Sequence, residues 1–207
     1  MTHRLVILFF LIVIVFSCNE EQKHIEKTLP FIGQKDYDEN GEEVPHKVAP
    51  FQFINQDSLI ITESYLKNKI TVVDFFFTTC PTICPVMTKN MKKVQNRWAN
   101  EPKVQFLSHT VDPKTDTPKK LKRFAKFYNA NTTNWNFVTG NKEDLYEAGV
   151  NSYLLPSQED ALAPGGFLHS EFFVLVDENL NLRGIYDGTK ENYMDSLSLD
   201  IQLLLND

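Results

Sequence analysis

Hydrophobic residues along this chain of 207 residues fall into short strand-like runs that alternate with helical stripes. Phe51-Gln52-Phe53-Ile54 reads as a short strand, and Asn55-Gln56-Asp57-Ser58 as the turn that follows it. Ile70 to Phe77 is β-branched, aromatic and apolar on both faces, the pattern of a central strand covered from both sides. From Pro85 to Ala99 the spacing of Val86, Met87, Met91, Val94 and Trp98 predicts a helix with one apolar stripe. Val104 to Val111 is the next strand. The loop Asp112 to Asp116 leads into a helix through Leu121, Phe124, Ala125 and Tyr128, with Asp116 or Thr117 as N-cap and Pro118 in the first turn. Asn136 to Gly140 is a brief strand and Lys142 to Val150 a short helix. Leu155 to Leu168 contains Pro156, Pro164 and Gly165-Gly166 and reads as a loop. Two strands, Glu171 to Val176 and Leu182 to Tyr186, are joined by a turn at 177–181. A helix from about Lys190 to Leu205 closes the chain.

Strand, helix, strand, helix, then a hairpin and a helix is the order of a thioredoxin-like α/β domain, a central mixed sheet flanked by helices. This pattern occupies residues 50–207. Residues 18–49 are polar, are broken by Pro30, Gly33, Gly41 and Pro45, and read as a flexible tether with one small hairpin around Asp38-Glu39-Asn40-Gly41. Residues 1–17 have the form of a signal peptide. A short basic start, Met1 to Arg4, precedes twelve uninterrupted apolar residues from Leu5 to Phe16, too few for a comfortable permanent span. The run ends in Val15-Phe16-Ser17-Cys18 and resembles a bacterial lipobox, in which the cysteine is lipidated. The match is imperfect at Val15 and Phe16, and an uncleaved signal anchor or a Sec signal with an incidental cysteine is the alternative. Either way the domain is expected outside the cytoplasm. The lipid reading anchors it to a bacterial membrane with the domain in the periplasm.

Composition adds little beyond a core of ordinary size for one domain. The formal net charge is −6 and the Lys and Arg residues read as scattered along the chain, which argues against nucleic acid as a partner.

The cysteines change the picture. There are three, and if Cys18 carries lipid then Cys80 and Cys84 remain as an isolated pair. They follow the central strand directly, at the start of a helix, where functional loops of open sheets gather. Free backbone N–H groups at a helix start favour thiolate over thiol, so the pair is expected to be reactive or metal-binding. Three residues, Pro81, Thr82 and Ile83, separate the cysteines where thioredoxin-type redox motifs have two. The offset brings both sulfurs to one side of a turn, close enough for a disulfide or for one ion. A redox pair, a metal clamp and a structural disulfide all stay open on this motif alone. A disulfide here would close a tiny loop and constrain the unfolded chain little. His169, at the end of the Pro/Gly-rich loop, would complete a set of two thiolates and one imidazole suited to copper or zinc. A single loop histidine is otherwise a surface or capping residue.

Thr79-Cys80-Pro81-Thr82-Ile83-Cys84-Pro85, then Thr110 to Pro118 and His169-Ser170, together resemble the Sco/SenC family. The segment Phe51 to Asp57 is similar too. The resemblance covers roughly Pro50 to the C-terminus, with the motifs in the family's order. It implies a thioredoxin-like domain that binds one copper per monomer, as Cu(I) or Cu(II), through Cys80, Cys84 and His169. It further implies service as a metallochaperone in assembling the dinuclear copper centre of cytochrome c oxidase, whose copper-bearing subunit is the expected partner. A copper donor or a thiol reductant protein is the further partner such a role calls for. The alternative role is a thiol–disulfide oxidoreductase that reduces the client's cysteines, with Cys80 and Cys84 as its redox pair. Thr82 departs from the family, which commonly has an acidic residue there, and the anchor is a lipid at Cys18 rather than a spanning helix. Asp112 and Asp116 match the family's Asp-Pro…Asp-Thr-Pro loop and could tune the site, although turn-former and helix cap are their ordinary roles. Met87 is expected as a core residue, His109 as a packed or solvated histidine with an auxiliary-ligand or partner-docking role as the alternative, and His24 and His46 as tether residues.

Overall fold

The computed structural model describes residues 28–206, and the side chains of all of these except 168 and 169. The apolar run 5–16, Cys18 and His24 lie outside the described residues.

The elements follow the expected order. β1 (Asp36–Tyr37) and β2 (Glu43–Val44) pair as a small antiparallel hairpin about the Asp38–Gly41 turn. Next come β3 (Gln52–Asn55) and β4 (Ile60–Thr62), an antiparallel pair whose second strand the sequence pattern did not predict. The centre is β5 (Ile70–Phe76), α1 (Cys84–Arg97), β6 (Val104–Thr110), α2 (Pro118–Phe127) and β7 (Trp135–Thr139). α3 (Lys142–Glu147) runs on into a π-helical turn, Ala148–Ser152. The stretch expected to be a loop holds β8 (Ser157–Glu159), a 3-10 turn (Pro164–Gly166) and β9 (Phe167–His169). Then follow β10 (Phe172–Val176), β11 (Leu182–Asp187) and α4 (Glu191–Asn206).

Seven strands form one mixed sheet in the order β11–β10–β5–β6–β7–β3–β4, with β5, β6 and β7 parallel and the rest antiparallel to their neighbours. Every residue of β5 and β6 is buried, as the two-sided apolar run of β5 requires. Because β5, β6 and β7 step in one direction, right-handed crossovers put α1 and α2 on the same face. Phe76 meets Phe124 of α2 on that face, with ring centroids 5.0 Å apart. α4 packs beside α1 there, tied by Lys93–Glu191 and Arg97–Asp195 ion pairs of 2.8 and 3.2 Å. Neighbouring Phe75 points to the opposite face, where it stacks on His109 and contacts Tyr153. Both chain crossings therefore deliver their loops to the carboxyl ends of β5 and β6.

Residues 28–49, read as part of a tether, are fastened to the body at both ends, near residues 29–32 and 46–49. Leu29 and Val48 are buried, Ile32 N–H donates to the Leu182 carbonyl at 2.8 Å, and Val48 N–H to that of Leu180 at 3.0 Å. Arg183, itself paired with Asp177 at 2.9 Å, donates to the carbonyls of Leu29 and Pro30 at 2.7 and 3.3 Å. The carbonyls of Leu180 and Leu182, at the open edge where β11 begins, gain partners this way, which helps a polar, breaker-rich segment to pack.

Candidate metal centre

Cys80 and Cys84 lie where β5 ends and α1 begins, and both are buried, at 8% and 1% exposure. Both are thiols, with no disulfide between them. Helix α1 starts without a side-chain cap: Ile83 occupies the cap position, Pro85 stands in the first turn, and Thr88 Oγ1 donates back to the Cys84 carbonyl at 2.8 Å. The pair is set by this geometry on one side of a turn. Cys80 Sγ is 3.7 Å from Thr82 Oγ1, and the Cys84 sulfur shares a hydrogen bond with that of Cys80.

That shared hydrogen bond raises the Cys84 pKa well above the ordinary thiol range, and burial adds to the effect. The Phe77 backbone N–H opposes it, and the negative charge of Asp74 reinforces it. The thiolate expected from a helix start is therefore not found at Cys84. The free N–H groups are too few, with Pro85 among the first residues, to outweigh burial beside a second sulfur. A proton held here must leave when a metal binds.

The loop between β6 and α2 braces the motif. Asp116 has no exposed surface, and its carboxylate accepts from Thr78 N–H at 2.9 Å, from Thr110 Oγ1 at 2.6 Å and from the Thr78 hydroxyl. The cap expected of Asp116 is not made; Thr117 takes the cap position of α2 and makes no side-chain cap bond either. Burial holds the Asp116 carboxyl above the usual carboxylate range, against the pull of the Thr110 and Thr78 hydrogen bonds. Asp112 does act as a turn-former, accepting from Thr115 N–H at 3.2 Å.

His169 is the last residue of β9, paired in register with Ser157. The β8–β9 hairpin that carries it sits on the cysteine loop. The ring of Phe167 lies 5.1 Å from that of Phe77, and Gly165, at φ +81°, passes so close that a Cβ would stand 2.7 Å from Phe77 Cζ and 3.5 Å from Pro81 Cδ. The backbone of the His169 strand is thus brought to the cysteine loop, as the sequence order suggested. Among the described side chains, no three His, Cys, Asp or Glu groups converge on one point.

The other singled-out residues resolve simply. Met87 is core. His109 is fully buried on the far face among Phe51, Phe53, Phe75 and Tyr153. His46 makes a 3.1 Å contact with the Ser152 carbonyl.

Two neighbours of the sulfurs went unpredicted. Asp74, 2% exposed, accepts from Ser108 Oγ at 2.5 Å, and Ser108 in turn accepts from Trp135 Nε1 at 2.8 Å. An acid in the middle of an otherwise apolar central strand was the available signal. Tyr128 follows α2, and its phenol is raised by partial burial and by the charges of Cys84 and Cys80. Nothing in its helical spacing marked it out.

The family model described as SCO1/SenC matches residues 39–200. A SCO1 protein homolog of Bacillus subtilis is 33% identical over 163 residues, 76% of this chain and 82% of that protein. The crystal structure of a SCO1/SenC family lipoprotein from Bacillus anthracis superposes with a TM-score of 0.72 at 34% identity, covering 77% of this chain and 95% of that one. BsSco, described as a member of the Sco family of cytochrome c oxidase assembly proteins with a disulfide switch, gives 0.69 at 32% identity, covering 77% and 93%. Yeast Sco1 with copper bound shares the fold at a TM-score of 0.61 and 24% identity, over 76% of this chain and 90% of that one. The fold is thioredoxin-like, and the chain belongs to the SCO1/SenC family.

Proposed function

We propose that this protein is a copper metallochaperone for the dinuclear copper centre of cytochrome c oxidase, holding one copper ion as cargo through Cys80, Cys84 and His169. The observation that supports this reading is the buried thiol pair, sulfur hydrogen-bonded to sulfur, in a loop whose Phe77 and Pro81 are met by the hairpin that carries His169. The donor set fits. Thiolates are soft and stabilise Cu(I), imidazole is borderline, and copper outranks zinc on such ligands. With Cu(I) the three ligands give a site of net charge −1, and with Cu(II) a neutral one. Within the chain, Asp116 fixes the backbone at Thr78 that aims Cys80. Burial keeps Cys84 protonated until the metal displaces its proton, so loading releases protons and strengthens as pH rises. We assign membrane attachment to lipid at Cys18, from the lipobox-like run that ends there, with the domain in the periplasm.

Copper titration under reducing conditions tests this. The wild type is expected to bind one equivalent, and Cys80→Ala, Cys84→Ala and His169→Ala each to lose affinity by tenfold or more. Unimpaired binding by His169→Ala would remove it from the ligand set. The hydrogen-bonded sulfurs also favour a second reading, in which Cys80 and Cys84 form a disulfide and pass two electrons and two protons to a client disulfide. A reduction potential too oxidising to reduce a client peptide excludes that one.

A further inference from the structure

Folding gathers the cations that look scattered along the chain. α1 and α2 carry nine, Lys89, Lys92, Lys93 and Arg97 on the first and Lys119, Lys120, Lys122, Arg123 and Lys126 on the second, with no Asp or Glu on either. This happens in a chain of net charge −6. On α1, Lys93 and Arg97 are neutralised by α4. On α2 only Lys122 is paired, with Asp57 at 2.8 Å; among the described residues Lys119, Lys120, Arg123 and Lys126 enter no ion pair. A groove of about 480 Å³ runs beside this helix, lined by Lys122, Arg123 and Lys126 together with Asn129 and Thr132. Phe127, the last residue of α2, stands 77% exposed.

The face adjoins the metal centre. Asp116, just ahead of α2, holds Thr78, two residues before Cys80, and Tyr128, just after α2, lies within electrostatic reach of both sulfurs. It is also remote from the edge where the N-terminal segment joins the sheet. That segment binds along β11, whereas α2 packs on β7 and β3, four strands across and roughly 20 Å away at about 4.8 Å per strand.

We infer that the outer face of α2 and its groove dock an acidic surface of the protein that receives the copper, with Arg123, Lys126 and Lys119 meeting its carboxylates and Phe127 entering an apolar recess. The inference rests on the chaperone reading for the partner's identity. Unpaired cations beside a transfer site steer encounter and fix its orientation, while an exposed aromatic sets residence time.

The test is stopped-flow association of the full chain with the soluble copper-bearing domain of the oxidase subunit, with nanodiscs of phosphatidylcholine or phosphatidylglycerol added. Arg123→Glu/Lys126→Glu is expected to lower the association rate constant at least tenfold at low salt, and Arg123→Gln/Lys126→Gln less steeply. High salt should bring the wild type down to the variants. Phe127→Ala should raise the dissociation rate several-fold. Copper stoichiometry should be unchanged in all three. An association rate indifferent to both charge variants, or no association at all, overturns the inference. So does hydrogen-exchange protection of α2 by phosphatidylglycerol alone, which would make the face a membrane contact. Loss of copper binding with α2-dependent association intact would instead sink the chaperone reading.

Discussion

Asp116 and His109 are both fully buried polar residues, and they are tolerated for opposite reasons. Asp116 is satisfied, with Thr78 and Thr110 donating into its carboxylate. His109 is enclosed by four aromatic rings, and burial pushes its pKa down to about 3 against the opposing pull of the Asp74 backbone. The folded protein therefore keeps His109 neutral, while the unfolded chain protonates it below about pH 6.5. Its contribution to stability is complete above that value and falls as the pH drops toward 3, by at most about 1.4 kcal/mol per pH unit. His109→Phe should remove this slope, matching the wild type near pH 7.5 and exceeding it at pH 5 in urea unfolding. Equal pH slopes for the two proteins would rule the account out. The strand around His109 was legible, but sequence left a packed and a solvated histidine both open, and the fold buries it. The brace made by Asp116 was not, because its partners lie six and thirty-eight residues away in sequence.

The β8–β9 hairpin carries the proposed ligand His169 and is the element the residue pattern concealed. Its strands have three residues each and pair only with one another, so no alternating run long enough to read as a strand exists. Pro164, Gly165 and Gly166 mark a turn, but only the fold shows that the turn is pressed against Phe77 and Pro81. Gly165 is fixed there twice, by its left-handed backbone and by the missing Cβ. Gly165→Val should push the hairpin off the cysteine loop, weakening copper binding on the order of tenfold, about 1.4 kcal/mol. The melting temperature should move little, because the hairpin lies outside the main sheet. A competition titration with a Cu(I) chelator and a thermal melt read the two separately, and unchanged affinity would show that the hairpin's seat is immaterial. By contrast β5, α1, β6, α2 and α4 were all legible within a few residues. Each carries a long periodic pattern, and packing on both sheet faces only enforces it.

At the scale of the molecule, the N-terminal segment 28–49 is bound to the β11 edge through Arg183 and Asp177, whose side chains are only 10% and 7% exposed. Phe31 covers the guanidinium, 4.5 Å from its ring centroid. Arg183→Ala would strand a buried carboxylate and free the Leu29 and Pro30 carbonyls, at a cost of about 3 kcal/mol. Thermal melting and limited proteolysis between residues 28 and 49 should both register the loss, and wild-type resistance to protease would show that the segment is held by other contacts. Sequence alone determined the thioredoxin-like order of elements, the central strand and the pair Cys80 and Cys84 at a helix start, because these follow from local periodicity and spacing. Only the tertiary structure decided that Cys84 stays protonated, that Asp116 braces the loop rather than capping a helix, that Gly165 and Phe167 press on Phe77 and Pro81, and that α2 presents unpaired cations near the cysteine loop. Those outcomes depend on burial and on partners distant along the chain, which spacing does not encode.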